Sequence, residues 1–356
     1  MLFSKKTPSF LAWSCVMLGL SHNLGAVLPE PTEATATPKA TASANTAPAD
    51  DGLDNRKFIH LRGQKDLTKV ELGSDDMDVY ALDLSDTNVF DLSNLPQYAR
   101  LEKLTLNNCN NPDLDLSVLP QCKALRFLDL SCIKGSLDLT FLKDCNIDTL
   151  YIKDRDDLTD LNRLAGCTSI KHLSVGGKKL KTLDGIGALA TLDTLDVSSD
   201  VLTTLNGLEP CKSLTYVHVK GDELRDVHAL QNHLSLKWAT ISPFPGTNLE
   251  AFRGCTSLDT LRLSLCGHLE TLDGFEGENI RSIHIDGGNK LRHIDAAYTW
   301  PKLEEFYLHD IHRSKPGSTL IPPTGAPSRI RFIQIGLRNP KLIPLKPLKN
   351  GDSPQG

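Results

Sequence analysis

Between Val79 and Arg329 the apolar residues recur in one unit, which opens apolar-x-x-apolar-x-apolar, as in Leu192-x-x-Leu195-x-Val197 and Ile280-x-x-Ile283-x-Ile285. Units begin at Val79, Leu101, Leu125, Ile147, Ile170, Leu192, Leu214, Leu236, Leu258, Ile280 and Leu303, and a twelfth opening stands at Ile330-x-x-Ile333-x-Ile335. Of the 36 anchor positions 34 are Leu, Ile or Val, with Ala239 and Phe306 the remainder, and a chain that is 40% hydrophobic does not arrange itself so by chance. The second half of a unit runs at a period near three, as in Leu202, Leu205, Leu208 and Cys211. Alternation followed by a three-residue period predicts a short strand and then a 3₁₀-like or extended return. The usual 22-residue length leaves no room for a full helix on every turn. One such unit cannot close a core, but parallel strands about 4.8 Å apart bring equivalent leucines into a continuous ladder.

These units resemble the leucine-rich repeat family, whose pattern LxxLxLxxNxL is matched well by Leu101-Glu102-Lys103-Leu104-Thr105-Leu106-Asn107-Asn108-Cys109. The short period is similar to internalin-type repeats of bacterial surface and secreted proteins, and Asn248 to Leu258 resembles the AFxxCxxL core of bacterial surface-antigen repeats. The resemblance implies an α/β-type repeat solenoid, a horseshoe or arc with a parallel sheet on its concave face and a mostly 3₁₀ or extended convex side. It also implies binding rather than catalysis. One feature departs from the family: the usual turn Asn is replaced by Thr87, Cys109, Arg155, Lys178, Asp200, Asp222, Phe244, Cys266 and Gly288, so other groups or water must satisfy those turns.

The flanks differ in composition. Lys5 and Lys6, an apolar run from Phe10 to Leu20 and small residues up to Ala26 read as a secretory signal peptide over residues 1–26. Eleven apolar residues are too few to span about 30 Å of hydrocarbon, so no integral membrane span is expected. Residues 27–55 are rich in Pro, Thr and Ala with almost nothing to bury, and read as a disordered linker. Residues 56–78, with Ile59, Leu61, Leu67, Val70 and Leu72, read as a degenerate capping turn before a repeat domain over 79–335. The prolines of the lengthened last unit, Pro316, Pro322, Pro323 and Pro327, suit a covering loop, and residues 336–356 form a loose basic tail.

The formal net charge is −5, from 39 basic and 44 acidic residues spread along the chain, which gives no polycationic surface for nucleic acid. An exported chain of this length without any Asn-x-Ser/Thr site points to a bacterial source. Of the cysteines, Cys122, Cys145, Cys167, Cys211 and Cys255 lie three residues after a core Leu or Phe and read as small buried thiols stacked along the solenoid, with a bond between neighbours such as Cys122 and Cys145 as the competing reading. Cys109, Cys132 and Cys266 fall in turns and are the better candidates for redox chemistry.

Neither a nucleophile elbow, a P-loop, an HExxH helix nor a dinucleotide fingerprint occurs, and without a CxxC pair no zinc site is supported. No cofactor, metal or catalytic activity is therefore expected. Asp83, Asp129 and Asp196 share a strand position but belong to units one, three and six, about 10 Å or more apart, too far for a catalytic pair. What remains is the open face of the strands. Units seven to eleven present Tyr216, His218 and Lys220, then Trp238, Arg262, His284, and finally Tyr307 and His309, a strip about 19 Å long. Tyr216 and Trp238 occupy equivalent positions and should touch; Tyr, Trp and Arg anchor partner surfaces because they combine rigid area with a polar handle. The strip is the expected docking site of a protein or glycan partner on a monomeric chain. His218 beside Arg262 would make that binding weaken below about pH 6, and His284 with His309 forms a pair of imidazoles on an open sheet.

Overall fold

In the computed structural model, residues 57–309 and 330–335 are described, the last strand by its backbone alone. The segments read as signal peptide, linker, covering loop and basic tail lie outside the described residues. Thirteen strands form one sheet in strict chain order, each hydrogen-bonded to the next in parallel. They are β1 (Lys57–His60), β2 (Val79–Asp83), β3 (Lys103–Thr105), β4 (Phe127–Asp129), β5 (Thr149–Ile152), β6 (His172–Gly176) and β7 (Thr194–Ser198), followed by β8 (Tyr216–Lys220), β9 (Trp238–Ser242), β10 (Thr260–Leu263), β11 (Ser282–Asp286), β12 (Glu305–His309) and β13 (Arg331–Ile335). Twelve carry the repeat's opening. The thirteenth, β1, comes from the segment that precedes the first regular unit and joins β2 with a register shift between Lys57 and Phe58.

The side chains explain the stacking. In β7, β8 and β9 the second and fourth residues are buried and the others are not, so one face of the sheet is apolar and the other open. Register keeps like against like: Leu195 pairs with Val217, Val217 with Ala239, Ala239 with Leu261 and Leu261 with Ile283. The returns are 3₁₀ turns such as Leu95–Gln97, Leu119–Gln121, Ile186–Ala188 and Glu250–Phe252. Among the described residues the one α-helix is α1 (Asp295–Thr299), and no helix is long and apolar enough to cross a membrane.

The cysteines do more than fill space. Cys211 Sγ donates to the Ile186 carbonyl at 3.6 Å and Cys255 Sγ to the Leu230 carbonyl at 3.2 Å, in each case reaching the preceding coil. His233, fully buried between those two coils, does the same with Nε2 on the Leu208 carbonyl at 3.1 Å. Each side chain in this column thus ties its coil to a carbonyl of the preceding one, and those of Ile186 and Leu208 also accept from the backbone N–H groups of Leu189 and Cys211. Cys109 and Cys266, expected in turns as candidates for redox chemistry, are fully buried; Cys109 donates to the Leu84 carbonyl, as Thr87 also does. A thiol so enclosed is not a redox group. All eight described cysteines are free, so no bond joins Cys122 to Cys145.

The missing turn Asn is replaced piecemeal. Ser199 Oγ donates to the Leu180 carbonyl, and Arg155, 1% exposed, is held by Asp157 at 2.7 Å. Phe244 stacks on Phe252, from which an aromatic chain continues through Phe275 to Trp300.

Candidate docking face

The open face is a grid whose rows are set by strand register. One row contains Phe127, Thr149, His172, Thr194, Tyr216, Trp238, Thr260, Ser282 and Glu305. The next contains Asp129, Tyr151, Ser174, Asp196, His218, Thr240, Arg262, His284 and Tyr307. Lys220 lies one step further along, in register with Ser198 and Ser242, while His309 pairs with Asp286.

Tyr216 and Trp238 stack with ring centroids 6.3 Å apart. From the other neighbouring strand, the Arg262 guanidinium lies over the indole, 4.8 Å from its centroid. The indole Nε1 donates to Thr240 Oγ1, two residues on in the same strand, at 3.1 Å, which fixes the ring along β9. Two strands on, His284 stacks on Tyr307 at 4.2 Å and its Nε2 meets Ser282 Oγ at 3.1 Å. Burial, joined by the positive charge of Arg262, holds the His284 imidazole below its ordinary pKa.

Not every expected neighbour meets. Thr240 separates His218 from Arg262 in the register, and His218 Nδ1 instead contacts Asp196 Oδ1 at 3.0 Å. Asp196 also accepts from Lys153 Nζ at 2.5 Å and Ser174 Oγ at 3.1 Å, so it is a hub bridging β5 to β8. Burial works to raise its pKa, but His218 and Lys153 outweigh this and the net direction is down. The pH dependence expected from a His218–Arg262 contact therefore loses its structural basis. Likewise His284 faces Tyr307 rather than His309, and among the described residues no group of three or more His, Cys, Asp or Glu is arranged to hold a metal ion.

Sequence reading passed over a second aromatic pair in the same two rows, Phe127 and Tyr151, packed edge to face at 5.1 Å. Its signal was present, because the two residues hold the positions of Trp238 and His218 in units three and four. Asp129 lies beside Tyr151, its pKa raised by burial. The hub formed by Lys153, Ser174 and Asp196 was also missed, since its members come from three coils.

A family model described as the leucine-rich-repeat domain of the endo-β-N-acetylglucosaminidase EndoS matches residues 68–200. No curated protein matches the chain. Among solved structures, internalin C2 of Listeria monocytogenes is 22% identical with a TM-score of 0.41, over 52% of this chain and 80% of that one. The functional domain of InlJ from Listeria monocytogenes, which includes a cysteine ladder, is 17% identical with a TM-score of 0.45, over 78% of this chain and 62% of that one. A plant peptide hormone receptor, RGFR1 in complex with RGF2, is 15% identical with a TM-score of 0.39, over 71% and 47%.

Proposed function

We propose that this chain of leucine-rich repeats is an exported, non-catalytic binding protein that takes a protein partner on the open face of β8–β12. The observation that carries the reading is the stack of Tyr216, Trp238 and Arg262. Three neighbouring strands hold two aromatic rings and a guanidinium in one contiguous group on the side of the sheet away from the core. Such groups offer large rigid area at small cost in conformational entropy, which is what anchoring residues of interfaces supply. A glycan is the other ligand class the strip would suit. Trp238 is flanked by Tyr216 on one side and Arg262 on the other, and that favours a protein, because a sugar ring needs an uncovered aromatic face.

A scaffold without a specific ligand is the alternative, and one experiment separates the two. Partner capture from extracellular extract is measured with the full chain and with Trp238→Ala and Tyr216→Ala, and protection of β8–β10 from hydrogen exchange is mapped in the complex. Loss of capture in both variants, with unchanged thermal unfolding and protection confined to these strands, is the expected result; capture that survives both substitutions sinks the docking face. Export is tested separately by mass spectrometry of the mature N-terminus, which cleavage near Ala26 predicts to be shortened. An intact N-terminus would point instead to delivery by another route.

A further inference from the structure

We infer that the partner presents an acidic, extended peptide segment to this face; the inference rests on the docking reading above and names the chemistry that it recognises. The chain as a whole is acidic, at −5, yet the open face reverses sign locally. No carboxylate stands among the outward positions of β8, β9 and β10, where the charged residues are Lys220 and Arg262, with the imidazole of His218 beside Lys220 on β8. Both cations are exposed, and neither takes part in an ion pair among the described residues.

The acids nearby are already engaged. Asp196 on β7 is held by Lys153 and His218, Glu305 on β12 accepts from Ser282, and Asp259 at the head of β10 pairs with Arg281. Only at β11 does Asp286 return a negative charge to the same face, and it marks the end of the patch. Lys220 and Arg262 sit two strands apart, about 10 Å, and between them lie the hydroxyls of Thr240 and Ser242.

The aromatics distinguish between anionic ligands. A nucleic acid or an anionic glycan gains its affinity on such a platform by laying rings against open π faces. Here Trp238 is flanked on both sides and His284 covers Tyr307. What is left unpartnered is the fork of guanidinium N–H donors, preorganised by the indole beneath it, and an ammonium across the strip. A guanidinium so held matches a carboxylate geometrically and loses little freedom on binding it. An extended acidic segment running across the strands would meet both cations at once.

The test uses the full chain and three fluorescein-labelled probes: an eight-residue glutamate peptide, a glutamine peptide of the same length and the oligonucleotide (dT)8, with binding read by fluorescence polarisation at low and high salt. The glutamate peptide is expected to bind, to weaken as salt rises and to weaken about tenfold or more in each of Arg262→Gln and Lys220→Gln. Both substitutions are at exposed side chains, so folding, checked by thermal unfolding, should be unchanged. The inference is overturned if the glutamine peptide or (dT)8 binds as tightly, if the glutamate peptide fails to bind, or if neither substitution affects it. Should Trp238→Ala abolish partner capture while the glutamate peptide ignores Arg262 and Lys220, the docking face survives and the acidic partner does not.

Discussion

Trp300 occupies the space that a side chain on Gly277 would need: a Cβ added there would lie 2.2 Å from Trp300 Cδ1. Gly277 also has φ +64°, which L side chains adopt only at a cost. The glycine of one coil therefore makes room for the indole of the next. Gly277→Ala combines a strained backbone with an overfilled core and should destabilise the chain by about 2–4 kcal/mol, read as a fall in the urea midpoint. A midpoint within error of the parent would show that the coil shifts freely to accommodate the methyl.

His233 stands where Cys211 and Cys255 stand in the flanking coils, and its Nε2–H makes their hydrogen bond with an imidazole. Burial, assisted by the charge of Lys212, holds its pKa below the ordinary 6.5, against the opposing pull of the Leu208 and Leu230 carbonyls on its two ring nitrogens. In the unfolded chain the ring takes up a proton near pH 6.5. Its contribution to stability is thus fully present above that value and declines as the pH falls through it. Replacement by the residue of the neighbouring coils, His233→Cys, should flatten the fall in stability between pH 7 and pH 5 relative to the parent. Parallel pH profiles for the two chains would refute the assignment.

Asp196 shows the opposite kind of titration. Its carboxylate, partly freed from the burial penalty by His218 and Lys153, has a folded pKa below the ordinary 3.8. That stability is present above about pH 4 and is lost as the pH falls through the folded value. Asp196→Asn should cost about 1.5–3 kcal/mol at pH 7, the range for a hydrogen bond to a charged group, and the cost should shrink toward pH 2. Urea denaturation at the two pH values checks both the size and the trend.

The thiols should differ in reactivity. Burial pushes Cys145 and Cys266 up to about 12, and Cys122, Cys167, Cys211 and Cys255 to about 11. Cys132 is only partly buried and is raised less. At pH 8 a thiol reagent should label Cys132 first among the described cysteines, the partly buried Cys145 more slowly because of its higher pKa, and the buried thiols only on unfolding. Peptide mapping after a short pulse of iodoacetamide gives the order directly.

Arg262 lowers the pKa of His284, second only to burial. Removing the charge in Arg262→Gln should raise the His284 value, which imidazole proton shifts in an NMR titration would follow. An unchanged titration would mean that the guanidinium lies elsewhere in solution.

The repeat and its register could be read directly, because a strand followed by a three-residue period admits one way of burying leucine, and the recurring opening of each unit places equivalent residues side by side. The contact of Tyr216 with Trp238 follows from that counting alone. The core column of cysteines was equally visible as a position, but not as a set of donors. Whether Cys255 merely fills space or satisfies the Leu230 carbonyl depends on where the preceding return leaves its carbonyl.

Pairing across the open face was decided by tertiary structure. His218 lies one unit from Asp196 and two units from Arg262, with Thr240 in between. The carboxylate, already held by Lys153 from two strands away, captures the imidazole, and Arg262 turns to the indole instead. Periodicity determines which residues line the sheet, since it reflects burial averaged over a coil. The charge pairs among them depend on side-chain reach between coils distant in sequence, and only the stacked structure sets that.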